Sequence, residues 1–257
     1  RQAAAAATEI AAGTTAPAAV EVMDRATLAA VARFGLGDGK AASGGEGLSG
    51  GGQRGPVGGG WWAGAGGLLL VEVDGTRAVC EAEAARIREA VGKGGRVLAE
   101  RQARYPEAEG LWQIRRAALG ALAAASPTVM IENFSTGPDK VEDLLGRVEA
   151  AARRHEVEIA AFGHAAEGVM HVALATDGRD PEEAARAREA WTRLESACDP
   201  LGARISGRGG TGLIGMPPVR ARLAGASLEI VRRVKDAFDP DGMINPGKLT
   251  AGGPSAW

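Results

Sequence analysis

The sequence contains little cysteine and no long apolar run. Its two cysteines, Cys80 and Cys198, lie far apart and outside any Cys-x-x-Cys pair, which excludes a disulfide scaffold and a cysteine zinc site. The apolar run at residues 68–71 is far too short to span a bilayer, and no signal peptide is visible. We therefore expect a soluble, cytoplasmic protein that is not transmembrane, with peripheral attachment to a membrane as the alternative.

An excess of positive charge is also missing. The chain has 30 lysine and arginine residues against 32 aspartate and glutamate residues, a formal net charge of −2, and no basic stripe. This balance argues against a nucleic-acid partner held by phosphate contacts. No initiator methionine opens the sequence, and we expect a part of a longer protein or a processed product.

Glycine is concentrated in one segment. Residues 35–67 contain 16 glycines and few apolar side chains, so burial there cannot offset the entropy of ordering the chain. We expect a flexible insertion, held to the body by Trp61 and Trp62 near its end. The insertion divides the chain into a start (1–34), a main body (68–225) and a C-terminal helix with a tail (226–257).

The rest of the chain alternates strand-like and helix-like patterns. The predicted strands span residues 19–23, 68–73, 96–100, 128–132, 157–163 and 169–175, and the predicted helices span 27–34, 80–91, 110–125, 138–152, 181–198 and 228–238. The pair of strands at 157–175 breaks the strict alternation of a parallel doubly wound sheet. The order favours an α+β fold: an antiparallel or mixed sheet flanked by helices on one face and built from ferredoxin-like units.

Two glycine patterns share the spacing of nucleotide-binding fingerprints but not their context. Residues 207–212 (GRGGTG) are followed by Met-Pro-Pro rather than by the helix that would receive a pyrophosphate. Residues 242–248 (GMINPGK) precede a leucine, where a phosphate loop needs a hydroxyl for magnesium. We therefore predict nucleotide binding for neither segment.

The segment 162–171 (FGHAAEGVMH) carries two of the three histidines. It is predicted as a hairpin with His164 at the turn and His171 on the returning strand. In one register the two side chains project to one face as diagonal neighbours, where they could share a divalent metal. The alternative is that both are partly buried, hydrogen-bonded histidines.

Residues 238–248 (FDPDGMINPGK) closely resemble the C-terminal signature of the FAD-linked oxidases, the group of glycolate oxidase, D-lactate dehydrogenase and D-2-hydroxyglutarate dehydrogenase. The hairpin is similar to that family's His-Ala-Gly-Asp-Gly-Asn-x-His segment. Residues 68–75 (LLLVEVDG) and 111–115 (LWQIR) also look like family positions in the right order. The resemblance covers nearly the whole chain outside the glycine-rich insertion.

The resemblance implies a C-terminal cap domain of an oxidoreductase acting on a small 2-hydroxy acid. Its FAD would be held mainly by a separate FAD-binding domain or subunit, so this chain alone is expected to be inactive. By motif match, His164 and His171 would bind a divalent metal such as zinc or manganese, and Arg115 would bind the substrate carboxylate. The remaining matched residues would lie toward the flavin: Asn245, Pro246 and Gly247.

The chain departs from the family pattern at residues 206–210 (SGRGG), which correspond to Ser-Gly-Glu-His-Gly. Arg208 then stands where the third metal ligand is usual, and Gly209 stands at the position of the catalytic base. Glu167 and Glu132 are alternative ligands.

Two rival functions therefore stay open beside catalysis. One is a non-catalytic relative that serves as a scaffold or subunit. The other is a metal- or ligand-binding ferredoxin-like module unrelated to flavin.

Overall fold

The structure is a computed structural model that describes residues 1–13, 15–35, 62, 64–94, 96–205 and 225–246. The chain divides into two compact units, Arg1–Arg204 and Ile205–Trp257. Most of the predicted glycine-rich insertion, including Trp61, lies outside the described residues, so its flexibility and its boundaries stay predictions.

The described residues form eight α-helices and six strands. The helices are α1 (Gln2–Ala12), α2 (Arg25–Arg33), α3 (Arg77–Gly94), α4 (Ala108–Arg116), α5 (Ala118–Ala125), α6 (Val141–His155), α7 (Pro181–Cys198) and α8 (Gly225–Phe238). The strands are β1 (Ala19–Asp24), β2 (Gly67–Glu72), β3 (Thr128–Ser135), β4 (Glu158–His164), β5 (Val169–Thr176) and β6 (Arg204–Ile205).

The strands form one sheet in the order β2-β1-β4-β5-β3-β6. Strand β1 pairs antiparallel with β2 and β4, and β5 pairs antiparallel with β4 and β3. The run β3-α6-β4-β5-α7-β6 has the βαββαβ connectivity of a ferredoxin-like unit. Strands β1 and β2 extend that unit beyond β4. The predicted α+β fold with an antiparallel sheet is confirmed.

Helices pack on both faces of the sheet, whereas the sequence predicted helices on one face only. On one face, Met23, Phe162 and Ala173 share an apolar core with residues of α2, α4 and α5. On the other face, Phe134 of β3 packs edge-on against Trp191 of α7, with ring centroids 6.0 Å apart. The central strands are therefore buried on both sides, which leaves the ends of the strands as places for polar chemistry.

Two local predictions were wrong, and one helix was missed. Residues 96–100 form no strand. The single helix expected over 110–125 is two helices that meet at Ala117. Helix α1 was not predicted, because its alanine-rich sequence shows little contrast between an apolar and a polar face. It nevertheless buries Ala4, Ala7 and Ile10.

The return from β4 to β5 depends on two glycines. Gly163 has φ +155°, and a Cβ there would lie 2.5 Å from the Val169 carbonyl oxygen. Gly168 has φ +69°, and a Cβ there would overlap the Thr136 carbonyl oxygen. The Gly168 carbonyl accepts a hydrogen bond from Thr136 N at 2.9 Å. The hairpin is thus closed against the chain that follows β3.

In the second unit, α8 ends at Phe238, as predicted from the proline two residues later. The Asp239 carboxylate then accepts from Met243 N at 2.8 Å and from Ile244 N at 2.9 Å, which orders the turn after the helix. In the described part of the chain, every helix is too short or too polar to cross a membrane.

Replacement of Gly168 by alanine tests the close approach in the hairpin. Both the left-handed backbone and the overlap with Thr136 oppose a Cβ, so Gly168→Ala should lower the free energy of unfolding by about 3–4 kcal/mol. Gly202→Ala is the matched control, because Gly202 has φ +65° and open space around it. It should lose only about 1–2 kcal/mol in the same chemical denaturation experiment. Equal losses would contradict the steric account.

Candidate functional site

Five polar side chains gather where β4 turns into β5. We call Glu21, Arg115, Asn133, His164 and His171 the imidazole cluster. Four of them come from the strands β1, β3, β4 and β5, and Arg115 comes from the last turn of α4. The cluster therefore lies on one face and at one end of the sheet.

The strand register places the two histidines. His164 pairs with Val169 across the β4–β5 hairpin, and His171 follows two residues later on the same face. The two rings are thus diagonal neighbours, with centroids 5.6 Å apart and planes at 73°. This is the register that the sequence left open.

Glu21 joins Arg115 to His164. It lies directly opposite His164 in the β1–β4 pairing, and one carboxylate oxygen contacts the His164 Nδ1 atom. The other oxygen accepts from Arg115 Nε at 2.6 Å. The Glu21 side chain is 4% exposed and that of Arg115 is 12% exposed. One buried carboxylate therefore holds a cation on one side and an imidazole on the other.

His171 is held from both neighbouring strands. It pairs with Asn133 of β3, whose side-chain oxygen contacts His171 Nδ1, and with Phe162 of β4. The Phe162 ring lies 5.2 Å from the His171 ring and 4.9 Å from the guanidinium carbon of Arg115. The aromatic face gives the arginine a cation–π contact as well as its ion pair.

The hydrogen bonds of the cluster suit histidines that bind a metal through Nε2. A carboxylate or amide oxygen beside Nδ1 places the proton of a neutral imidazole on that nitrogen, and ligating histidines commonly have such a partner. Among the described residues, no group of three His, Cys, Asp or Glu side chains could enclose a metal ion. The structure thus brings together two candidate ligands.

Neither alternative ligand completes the set. Glu132 precedes Asn133 on β3 and so points to the opposite face, toward α7. Burial, reinforced by the nearby Glu195 carboxylate, raises the pKa of Glu132 to about 7. Glu167 is exposed in the turn of the hairpin. The suggestion that Glu132 replaces the usual third ligand was therefore wrong, because strand alternation separates it from the histidines.

The other candidate residues fall in the second unit or outside the described chain. Asn245 has φ +47°, a left-handed conformation that asparagine adopts more readily than most residues, and Pro246 follows it. Gly247, Arg208 and Gly209 lie outside the described residues. Their roles stay predictions.

Sequence reasoning missed Glu21 and Asn133. The signal for Glu21 was present, because it is the one charged residue in the predicted strand 19–23 (AVEVM), and buried charges are rare unless they are paired. Asn133 gave no comparable signal, since its importance depends on the pairing of β3 with β5.

The raised pKa of Glu132 predicts a pH-dependent stability. The folded protein holds this proton more tightly than the unfolded chain, so the free energy of unfolding should fall as pH rises from about 4.5 to about 7, and level off above. Glu132→Gln removes the titrating group. The stability of this variant relative to the parent should therefore rise over that pH range in chemical denaturation. Glu189→Gln, on the exposed surface of α7, is the control and should show no such trend.

Comparison with known proteins identifies the family to which the chain is similar. The family described as FAD linked oxidases, C-terminal domain, matches residues 1–249. The glycolate oxidase subunit GlcD of Bacillus subtilis is 30% identical over 72% of this chain and 39% of its own length. GlcD of Escherichia coli is 27% identical over 70% of the chain and 36% of its own length. The D-2-hydroxyglutarate dehydrogenase of Pantoea ananatis is 27% identical over 55% of the chain and 14% of its own length.

Two solved structures share the fold. The 4-ethylphenol oxidase of Gulosibacter chungangensis superposes with a TM-score of 0.60 at 15% identity, over 91% of this chain and 48% of its own. The p-cresol methylhydroxylase superposes with a TM-score of 0.53 at 13% identity, over 91% of this chain and 46% of its own. The chain thus spans less than half the length of each of these relatives. With the family matched over residues 1–249, the chain belongs to the FAD linked oxidases, C-terminal domain family.

Proposed function

We propose that this chain is the substrate-side domain of an FAD-dependent oxidoreductase that acts on a small 2-hydroxy acid of the D-lactate or glycolate type. The observation that carries the proposal is the imidazole cluster, which sets a guanidinium beside two imidazoles at one end of the sheet. The names of the relatives, glycolate oxidase and D-2-hydroxyglutarate and D-lactate dehydrogenases, support this substrate class.

Arg115 is the proposed carboxylate-binding residue. A guanidinium has five N–H donors, and Nε uses one of them on Glu21. The remaining donors suit the two oxygens of a substrate carboxylate. Packing against Phe162 and the ion pair with Glu21 limit the movement of the guanidinium, so the residue is preorganised for its ligand.

His164 and His171 are the proposed ligands of a divalent metal such as zinc or manganese. Glu21 and Asn133 engage their Nδ1 atoms, which directs ligation to Nε2. A metal bound there would polarise the substrate hydroxyl and lower its pKa. Glycine at position 209 cannot accept a proton through a side chain, so the family's usual base has no counterpart at that position.

FAD would supply the redox chemistry when bound. Its main binding site would lie in a partner FAD-binding domain or subunit, and Asn245, Pro246 and Gly247 would face the flavin. Because the chain spans about two fifths of the GlcD subunits that it matches, we assign the activity to the assembly of both halves.

Arg208 and Gly209 favour one rival function, a non-catalytic relative that keeps the fold as a scaffold or subunit. A fixed positive charge at the third ligand position would oppose metal binding. Family membership argues against the other rival, a ferredoxin-like module unrelated to flavin.

Anaerobic reduction of the flavin tests the proposed activity. The protein joined to its FAD-binding half should lose its oxidised flavin absorption on addition of D-lactate, glycolate or D-2-hydroxyglutarate. Arg115→Lys keeps the positive charge but loses the planar guanidinium that can donate two parallel hydrogen bonds to a carboxylate. The KM should therefore rise by about 10- to 100-fold, which corresponds to the loss of one hydrogen bond to a charged group, about 1.5–3 kcal/mol. Arg116→Lys, on the exposed side of α4, is the matched control. No bleaching with any of these acids would favour the scaffold.

Metal content tests the role of the histidines. The purified assembly should retain zinc or manganese, and His171→Ala should lose it, measured by elemental analysis after dialysis against a weak chelator. His155→Ala, at the end of α6 and away from the hairpin, is the control and should keep the metal. A metal content unchanged by His171→Ala would contradict ligation by this residue.

A further inference from the structure

Helix α8 is amphipathic, yet it contains no buried residue. Its apolar residues Ile230, Val234 and Phe238 recur at a spacing of four and so share one side of the helix, while charged residues occupy the other side. A helix of this length is marginal in water by itself, because helices in proteins are stabilised mostly by packing of their apolar side. Helix α8 therefore needs a surface that covers this side.

The exposed apolar surface continues beyond the end of the helix. Met243 and Ile244 follow in the turn, and we call these two residues together with Ile230, Val234 and Phe238 the apolar strip. Each of the five side chains is between 53% and 82% exposed, and they make up half of the ten large apolar side chains that are exposed among the described residues. Apolar residues scattered singly over a surface are normal, whereas such a concentration marks an interaction site.

The turn that carries Met243 and Ile244 is well ordered. The nearly buried Asp239 carboxylate accepts hydrogen bonds from Met243 N at 2.8 Å and from Ile244 N at 2.9 Å, and it also contacts Lys235 Nζ. These contacts hold the turn against the last turn of α8, so the apolar strip belongs to one preorganised element. A preorganised surface loses little conformational entropy when it binds a partner.

We propose that the apolar strip is the surface through which α8 docks onto the FAD-binding half of the enzyme. The family match extends to residue 249 and so includes the strip, whereas the chain spans only 39% and 36% of the two GlcD subunits. A large part of such a relative is therefore available to cover the strip. The inference rests on the proposed function for the FAD-binding half, but it is independent of the substrate and of any metal.

The position of the strip in the chain supports the same occupant. Ile244 is followed directly by Asn245, Pro246 and Gly247, which the proposed function places toward the flavin. Docking of the apolar strip would hold these three residues beside the FAD-binding half. The strip and the flavin-facing residues would then form one continuous interface.

The charges on the other side of α8 disfavour a membrane surface as the occupant. Glu229 and Asp236 are interspersed there with Arg232 and Arg233. Helices that lie on a membrane surface carry mainly lysine and arginine on their polar side. An apolar surface on a second copy of the chain would suit the strip chemically as well, so the experiment has to distinguish it from the FAD-binding half.

Photo-cross-linking identifies what covers the apolar strip. Phe238→benzoylphenylalanine, in the protein joined to its FAD-binding half, should form cross-links to that half, identified by mass spectrometry of the linked peptides. Asp236→benzoylphenylalanine, on the polar side of α8, is the matched control and should form few of them. Cross-links from position 238 only to a second copy or only within this chain would overturn the proposal, as would a yield no higher than that of the control.

Cysteine labelling measures the protection of the strip in the same assembly. In a Cys80→Ser background, Ile230→Cys should react with a maleimide at least about tenfold more slowly than Arg232→Cys, because a docked side chain reacts only when the interface opens. Equal rates would overturn the proposal.

The outcome is separable from that of the proposed function. Cross-links to the FAD-binding half without flavin bleaching by any of the 2-hydroxy acids would support the docking surface and contradict the proposed activity. Flavin bleaching with cross-links only within this chain would overturn the docking surface and leave the proposed activity intact.

Discussion

The antiparallel return between β4 and β5 is the constraint on which the site depends. Its register sets His164 and His171 on one face, two residues apart along the pairing. A slip by one residue would turn one imidazole into the opposite core. Gly163 and Gly168 enforce the return, because a side chain at either position would collide with the neighbouring backbone. The position of the two rings therefore follows from the backbone geometry of the hairpin.

Buried electrostatics then complete what the register begins. Arg115 and Glu21 are both nearly buried, and removal of one member of such a pair is expected to destabilise a protein by about 3–5 kcal/mol. The pair thus contributes to the fold and to the site at once. His171 and Asn133 differ in this respect, since the partner of this imidazole is a neutral amide and not a carboxylate.

The sequence was sufficient for the elements with strong periodicity. The hairpin, α6, α7 and α8 were predicted close to their observed bounds, because their apolar residues recur at strand or helix spacing. Helix α1 escaped notice because alanine gives little contrast, and the break at Ala117 has no proline or glycine to mark it. The helices on the second face could not be assigned, because a local pattern does not say which side of a sheet a helix covers.

Part of the site was also predictable from local sequence patterns. His164, His171 and Arg115 were found because they lie in recognisable segments, and the structure brings all three into one cluster. Glu21 and Asn133 join the cluster through strand pairings of long sequence separation, which a local reading cannot supply. Glu132 could be named only as an alternative ligand, because the sequence does not show which face of β3 its side chain lies on.

Alternation along β3 has a consequence for the descent of this family. Asn133 belongs to the imidazole cluster, whereas its neighbour Phe134 packs against α7. Because these two neighbours face opposite sides of the sheet, a substitution at Asn133 leaves the packing of Phe134 against α7 in place. A lineage can therefore lose its chemistry one substitution at a time and still inherit an intact domain.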